Sequence, residues 1–140
     1  MKNIDSIIFE KFKEIAKRLF VLKKEVIASL KINKTYHKIL SILTLQENIT
    51  QSCLGEVCDM DRPAVSRIVN KMEKENLVAR NFKQGNKKNL YITLTENGKA
   101  LAQKIHKKME QLKTKFFGEI HEKDKNSLND LLDKTLIEIM

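Results

Sequence analysis

Apolar residues at positions 8, 12, 15, 19, 22, 26 and 30 recur every three or four places, the period of one face of an α-helix. No Pro or Gly interrupts the run from Ile4 to Leu30, so the pattern predicts one long amphipathic helix. Asn33 is placed to cap a second helix through Ile39, Leu40, Ile42 and Leu43. "ENIT" breaks that helix, Thr50 caps a short third one, "QSCLGEVC", and "DMD" makes the next turn. Asp61 caps a fourth helix, where Pro63 is tolerated because first-turn N–H groups lack helical partners. Val65, Ile68, Val69, Met72 and Leu77 take its inward positions, and Asn76 stands just past its end, where a left-handed residue is favoured.

The period then drops to two. Val78, Arg80 and Phe82 alternate as one strand, and Leu90, Ile92 and Leu94 as its return. Gly85 allows the turn between them. Thr95 with Asn97-Gly98 opens a fifth helix through Leu101, Ile105, Met109, Leu112 and Phe116. "HEKD" breaks it, and a sixth helix from about Lys125 carries Leu128, Leu131, Leu132, Leu136 and Ile139. The expected fold class is mainly α with a small β-hairpin (α+β). The middle third is too small to cover the apolar stripes of the long terminal helices. Uncovered stripes of that size mark a partner surface, closed most simply by a two-fold homodimer.

Charge adds a second layer. The chain has 140 residues and a formal charge of +9, from 27 Lys/Arg against 18 Asp/Glu. Between Asp61 and Lys88 eight basic residues face three acidic ones, a net +5 that exceeds half the total. A clustered excess attracts polyanions, nucleic acid foremost. No apolar run is long enough to cross a bilayer and the N-terminus has no signal-peptide character, which points to the cytoplasm and away from a membrane.

Two short helices joined by a tight turn read as a helix-turn-helix. The inward positions of the second helix leave Arg62, Pro63, Ala64, Ser66, Arg67, Asn70 and Lys71 toward solvent. Arg can bridge the O6 and N7 acceptors of guanine, Asn can pair with adenine, and small Ala and Pro permit contact with thymine methyls. Lys71 and Ser66 suit phosphates or base edges. For each of these residues a solvated helix face is the plain alternative, and for Arg67 or Lys71 taken alone it is the better one. The capped helix before them and the cationic hairpin after them favour double-stranded DNA. The hairpin then serves as a wing, with Lys83, Asn86, Lys87 and Lys88 near its tip. Such a tip can enter the adjacent minor groove and gain affinity by releasing counterions.

Residues 49–99 strongly resemble the MarR (multiple antibiotic resistance regulator) family of bacterial winged-helix transcription factors. The matching pieces are "ITQSCLGEV", "MDRPAVSRIVNKMEKENLVAR" and "LYITLTENGKAL". The resemblance implies an N-terminal dimerisation helix over 1–30, a winged helix-turn-helix DNA-binding domain over 31–95 and C-terminal dimerisation helices over 96–140. It further implies a homodimer on pseudo-palindromic promoter DNA, acting as a repressor released by a small phenolic or anionic effector. The family's groove-reading positions fall on Arg62, Pro63, Ala64, Ser66, Arg67, Asn70 and Lys71. Its ligand crevice would be bounded by parts of the first, second and fifth helices, with Tyr36 and His37 as candidate contacts. The chain departs from the family at the wing tip, where Asn86-Lys87 replaces the usual Asp-Arg pair and the planar guanidinium fork is lost. Asn76 replaces the usual glycine after the recognition helix, and Cys58 a usual core aliphatic residue.

Other function classes find less support. His37, His106 and His121 are scattered, with no nucleophile–base pattern or phosphate-cradling glycine run, so neither an enzyme nor a cofactor is expected. A zinc-sensing variant would need a tighter His/Glu cluster. Cys53 and Cys58, five apart, fit neither a CxxC pair nor a disulfide and read as buried or half-buried thiols. The alternatives are a cysteine-based redox sensor of the same fold, or a winged helix used for protein or RNA contact.

Overall fold

The computed structural model describes residues 3–83, 85 and 88–140. The wing-tip candidates Asn86 and Lys87 lie outside the described residues. The chain divides into two compact units, Met1–Met109 and Glu110–Met140.

In the first unit the helices are α1 (Ile4–Ser29), α2 (Lys34–Leu45), α3 (Gln51–Val57) and α4 (Arg62–Lys74). Each starts on a residue whose side-chain oxygen satisfies an orphan first-turn N–H. Asn3 accepts from Ser6, Asn33 from Tyr36, Thr50 from Cys53 and Asp61 from Ala64, at 2.9, 2.9, 3.1 and 2.8 Å. Asn76 has φ 59°, the left-handed turn its position calls for, and Asn48 does likewise at 63°.

Strands β1 (Ile49–Thr50), β2 (Val78–Phe82) and β3 (Leu90–Leu94) form one antiparallel sheet with β3 in the centre. Val78 pairs with Leu94, Arg80 with Ile92 and Phe82 with Leu90, so the two expected strands form the hairpin. The sheet exceeds the expected hairpin by one strand, since Ile49 and Thr50 pair with Ile92 and Tyr91 on the far edge of β3. Two residues are too few to show a period, and Thr50 doubles as the cap of α3.

The core is built from Tyr36, Ile39, Leu40 and Leu43 of α2, Leu54 of α3, and Val65, Val69 and Met72 of α4. Val78 and Ile92 of the sheet and Ile105 join them. Each fully buried aliphatic side chain contributes roughly 1.5–3 kcal/mol by leaving water. Only the C-terminal end of α1 joins this cluster, through Leu30 and Ile32 just beyond it, and no residue of α1 is fully buried.

Helix α5 (Glu96–Phe117) begins in the first unit and ends in the second, where α6 (Glu122–Glu138) follows. Thr95 caps α5, its Oγ1 accepting from the Gly98 N–H at 3.0 Å. The break expected at "HEKD" falls instead at residues 118–121, so α6 starts at Glu122, three residues before the expected position. Glu122 and Asp124 belong in that first turn, where acidic side chains interact favourably with the helix dipole. Among the described residues no helix is long and apolar enough to cross a membrane.

Candidate nucleic-acid interface

Helix α4 presents four kinds of surface. Val65, Val69 and Met72 are buried, with Ile68 half-buried beside them. At 3.6 residues per turn the opposite row is Pro63, Arg67, Asn70 and Lys74, all exposed. Arg62 and Lys71 flank that row and are also exposed, while Ala64 and Ser66 are half-buried. Lys71 leans toward α2, its ammonium 5.7 Å from the centroid of the Tyr36 ring. Lys74 was missed in the sequence, although its spacing from Arg67 and Asn70 puts it in the same row.

Arg80 of β2 reaches the other flank of α4. Its guanidinium donates to Asn70 Oδ1, to Glu73 Oε1 at 3.0 Å and to Gln51 Oε1 at 3.5 Å. The Arg80 side chain is 19% exposed. It holds the Glu73 carboxyl below its ordinary range, chiefly by the hydrogen bond between them. Strand alternation identified Arg80 only as a strand residue. Its three partners, on α3 and α4, carry no local signal.

On the wing, Lys83 sits 4.6 Å from the centroid of the Tyr91 ring. Gly85 takes φ 82°, the conformation that glycine adopts without strain. Lys88 is exposed near the start of β3. A cleft of about 470 Å³ opens between the start of α3, the start of α4 and the base of the wing. Gln51, Ser52, Arg62, Ser66, Lys88 and Asn89 supply its polar lining. Two cations, hydroxyls and amides around one concavity suit a phosphate oxygen.

A second, larger cavity of about 750 Å³ lies between the end of α2, β3 and α5. Its walls combine Leu43, Leu94 and Ala102 with Glu47, Lys99 and His106. Tyr36 and His37 line neither cavity. Tyr36 is instead part of the core, and burial, then the nearby Glu75 carboxylate, push its phenol up to about 12. Among the described residues no hydrogen-bond partner of ordinary geometry meets its hydroxyl. His37 is half-buried, and burial lowers its pKa, with the Lys23 charge adding to the effect.

Both cysteines are free thiols. Cys58 is buried, and burial raises its thiol pKa. Cys53 departs from the expected buried or half-buried state, because its place on the outer side of α3 leaves it exposed. Among the described residues no group of three His, Cys, Asp or Glu side chains is arranged to hold a metal ion.

Known proteins share this arrangement. Residues 32–90 match the family model described as the MarR family. Over 84 residues the chain is 31% identical to an uncharacterized HTH-type transcriptional regulator, YvnA, of Bacillus subtilis (strain 168), a match covering 58% of this chain and 54% of the relative. The chain thus spans about half the length of the curated relative it matches. A mutant of S. aureus MepR superposes with a TM-score of 0.86 at 16% identity, covering 99% of this chain and 100% of that one. A second MepR mutant, bound to an oligodeoxyribonucleotide, gives 0.72 at 18% identity, over 99% and 100%. Identities this low establish a common fold alone. The helix-turn-helix and the first wing strand both fall within residues 32–90, the segment that matches the MarR family model.

Proposed function

We propose that this chain is a sequence-specific, double-stranded-DNA-binding transcriptional regulator. It acts as a homodimeric repressor on a pseudo-palindromic promoter site, in the cytoplasm. The observation that carries this is the exposed row Pro63, Arg67, Asn70 and Lys74 on a capped helix, flanked by a basic cleft of about 470 Å³. The MepR relative bound to an oligodeoxyribonucleotide supports the same use of the fold. α4 enters the major groove, Arg67 and Asn70 address base edges, and Arg62 and Lys88 hold backbone phosphates. Lys83 and Lys88, with Asn86 and Lys87 from the sequence, make the wing an electrostatic contact.

The homodimer is supported by α1, where Phe9 and Phe20 are 65% and 63% exposed, and by the exposed apolar residues of α6. Such surfaces bury themselves against a second copy, and two-fold symmetry then presents two recognition helices to two half-sites. The larger cavity supports release by a small effector. A phenolic hydroxyl can donate to Glu47 while an anionic group meets Lys99, with Leu43, Leu94 and Ala102 against the ring.

The test is selection of preferred duplexes from a random pool, followed by a salt titration on the selected and scrambled sequences. Two related half-sites are expected, with affinity falling steeply as salt rises at roughly 0.9 log units per log unit for each phosphate contacted. Binding that strengthens at low salt yet shows no sequence preference would refute the regulator and leave a non-specific polyanion binder.

A further inference from the structure

We propose that Arg80 fixes the side-chain amide of Asn70, so that Asn70 reads its base as a hydrogen-bond donor only and selects guanine over adenine. This rests on α4 being the base-reading helix. A guanidinium carries five donors and no acceptor. Whichever way an amide is assigned, therefore, the atom facing Arg80 must be Oδ1, as the hydrogen bond between them has it. The amide N–H2 then points away from Arg80, on the exposed row of α4.

Free asparagine reads adenine by offering its oxygen to N6–H and its N–H to N7 together. That pairing needs both amide atoms turned toward the groove. Here the oxygen is turned toward β2, and a cation beside it repels the amino group of adenine. What remains is a pair of N–H donors. Guanine presents two adjacent acceptors, N7 and O6, to such a donor, whereas adenine presents one acceptor beside a donor.

Arg80 cannot easily leave to make its own phosphate contact. Glu73 Oε1 holds it at 3.0 Å, Gln51 Oε1 stands at 3.5 Å, and its side chain is largely covered. The three acceptors come from α3 and α4, so the clamp ties the wing to both halves of the helix-turn-helix. Arg80 is thus a positioning residue, and Asn70 the specificity-determining residue it acts through.

The experiment is duplex selection with the full-length protein and two variants, Asn70→Asp and Arg80→Met, each checked by circular dichroism and thermal melting. Asn70→Asp keeps an acceptor for Arg80 but has no N–H donor, so one guanine preference in each half-site should disappear while the others persist. In Arg80→Met the amide is released, and the same position should turn toward adenine by about tenfold or more in relative affinity. Ratios within one protein cancel any general loss of affinity. If Arg80→Met does not fold, Asn70→Asp still decides the point. A preference that neither variant alters overturns the inference while leaving the regulator intact. Absence of any preference in the unaltered protein overturns both.

Discussion

Replacing Gly98 by alanine perturbs the point where α5 meets the end of α4 and β3. Gly98 is buried in the first turn of α5. A Cβ there would overlap the Leu77 carbonyl oxygen outright and stand 3.0 Å from the Leu77 carbon and 3.2 Å from Leu94 Cδ2. Leu77 is not free to yield, because its carbonyl also accepts from the Thr95 N–H at 3.1 Å. Relief therefore requires backbone movement, and overpacking of this kind costs about 1–3 kcal/mol, more where backbone is the obstacle. Alanine recovers at most about 1 kcal/mol of helix propensity, and less in a first turn than in a helix interior. The net expectation is a loss of about 2 kcal/mol. With a urea slope of roughly 1–3 kcal/mol per molar, the unfolding midpoint falls by about 1 M. Urea titrations of Gly98→Ala and of the exposed control Asn97→Ala, at equal protein concentration, measure this. A Gly98→Ala midpoint equal to or above the parent's would show that α5 does not press on Leu77.

Three further expectations concern other parts of the molecule. Tyr36, neutral in the fold up to about pH 12, ionises at its ordinary value once unfolded, so stability drains away as pH rises from about 10 to about 12. The loss reaches about 2–3 kcal/mol; Tyr36→Phe should flatten that alkaline fall without weakening the protein near neutrality, and superimposable midpoint–pH curves would refute it. Ile8→Glu with Phe12→Glu, on the uncovered part of α1, should halve the mass seen by light scattering toward 16.3 kDa without unfolding the core, and a parent protein already at that mass would refute the dimer. Arg67→Ala should lower affinity for the selected duplex by about 1–3 kcal/mol more than for random DNA, whereas equal losses would make Arg67 a phosphate contact.

What could be read from the sequence was what depends on neighbours in the chain. Asn33, Thr50 and Asp61 announced three helix starts because a cap joins an oxygen to an N–H three residues on. Asn76 marked a helix end for a similarly local reason. The wing strands followed from alternation; their register is a finding of the structure. Features made by distant segments left no such trace. Arg80 and Gln51 are 29 residues apart, and nothing near either reveals the contact. The larger cavity exists because α2, β3 and α5 meet, and its lining runs from Leu43 to His106. Tyr36 and His37 lie on α2, one of the helices that the resemblance sets around the crevice, yet neither lines that cavity. The amphipathic pattern of α2 does not show that Tyr36 turns toward the core and α4, away from that cavity. Five of the seven α4 positions, Arg62, Pro63, Arg67, Asn70 and Lys71, were legible as exposed, while Ala64 and Ser66 are half-buried. How Asn70 is engaged on that face was not legible.

The same contacts bear on how the proposed regulator would couple a ligand to DNA. Thr95 Oγ1 donates to the Asn76 carbonyl at 2.6 Å and accepts from the Gly98 N–H at 3.0 Å, so the turn after α4 and the first turn of α5 share one hydroxyl. One turn further along α5, Lys99, Ala102 and Gln103 line the larger cavity, and Thr93 and Leu94 of β3 form its facing wall. β3 in turn pairs residue for residue with β2, which carries Arg80 and its grip on Asn70 and Glu73. A ligand wedged between α5 and β3 thus meets two short connections to α4, one through Thr95 to its end and one through Arg80 to its outward row. Tight packing makes such connections shift together. A displacement too small to disrupt the fold would suffice to move Asn70 out of hydrogen-bonding range of a base. Thr95→Val would cut the first connection and leave the second, so a ligand response surviving that change but lost in Arg80→Met would assign the coupling to the wing.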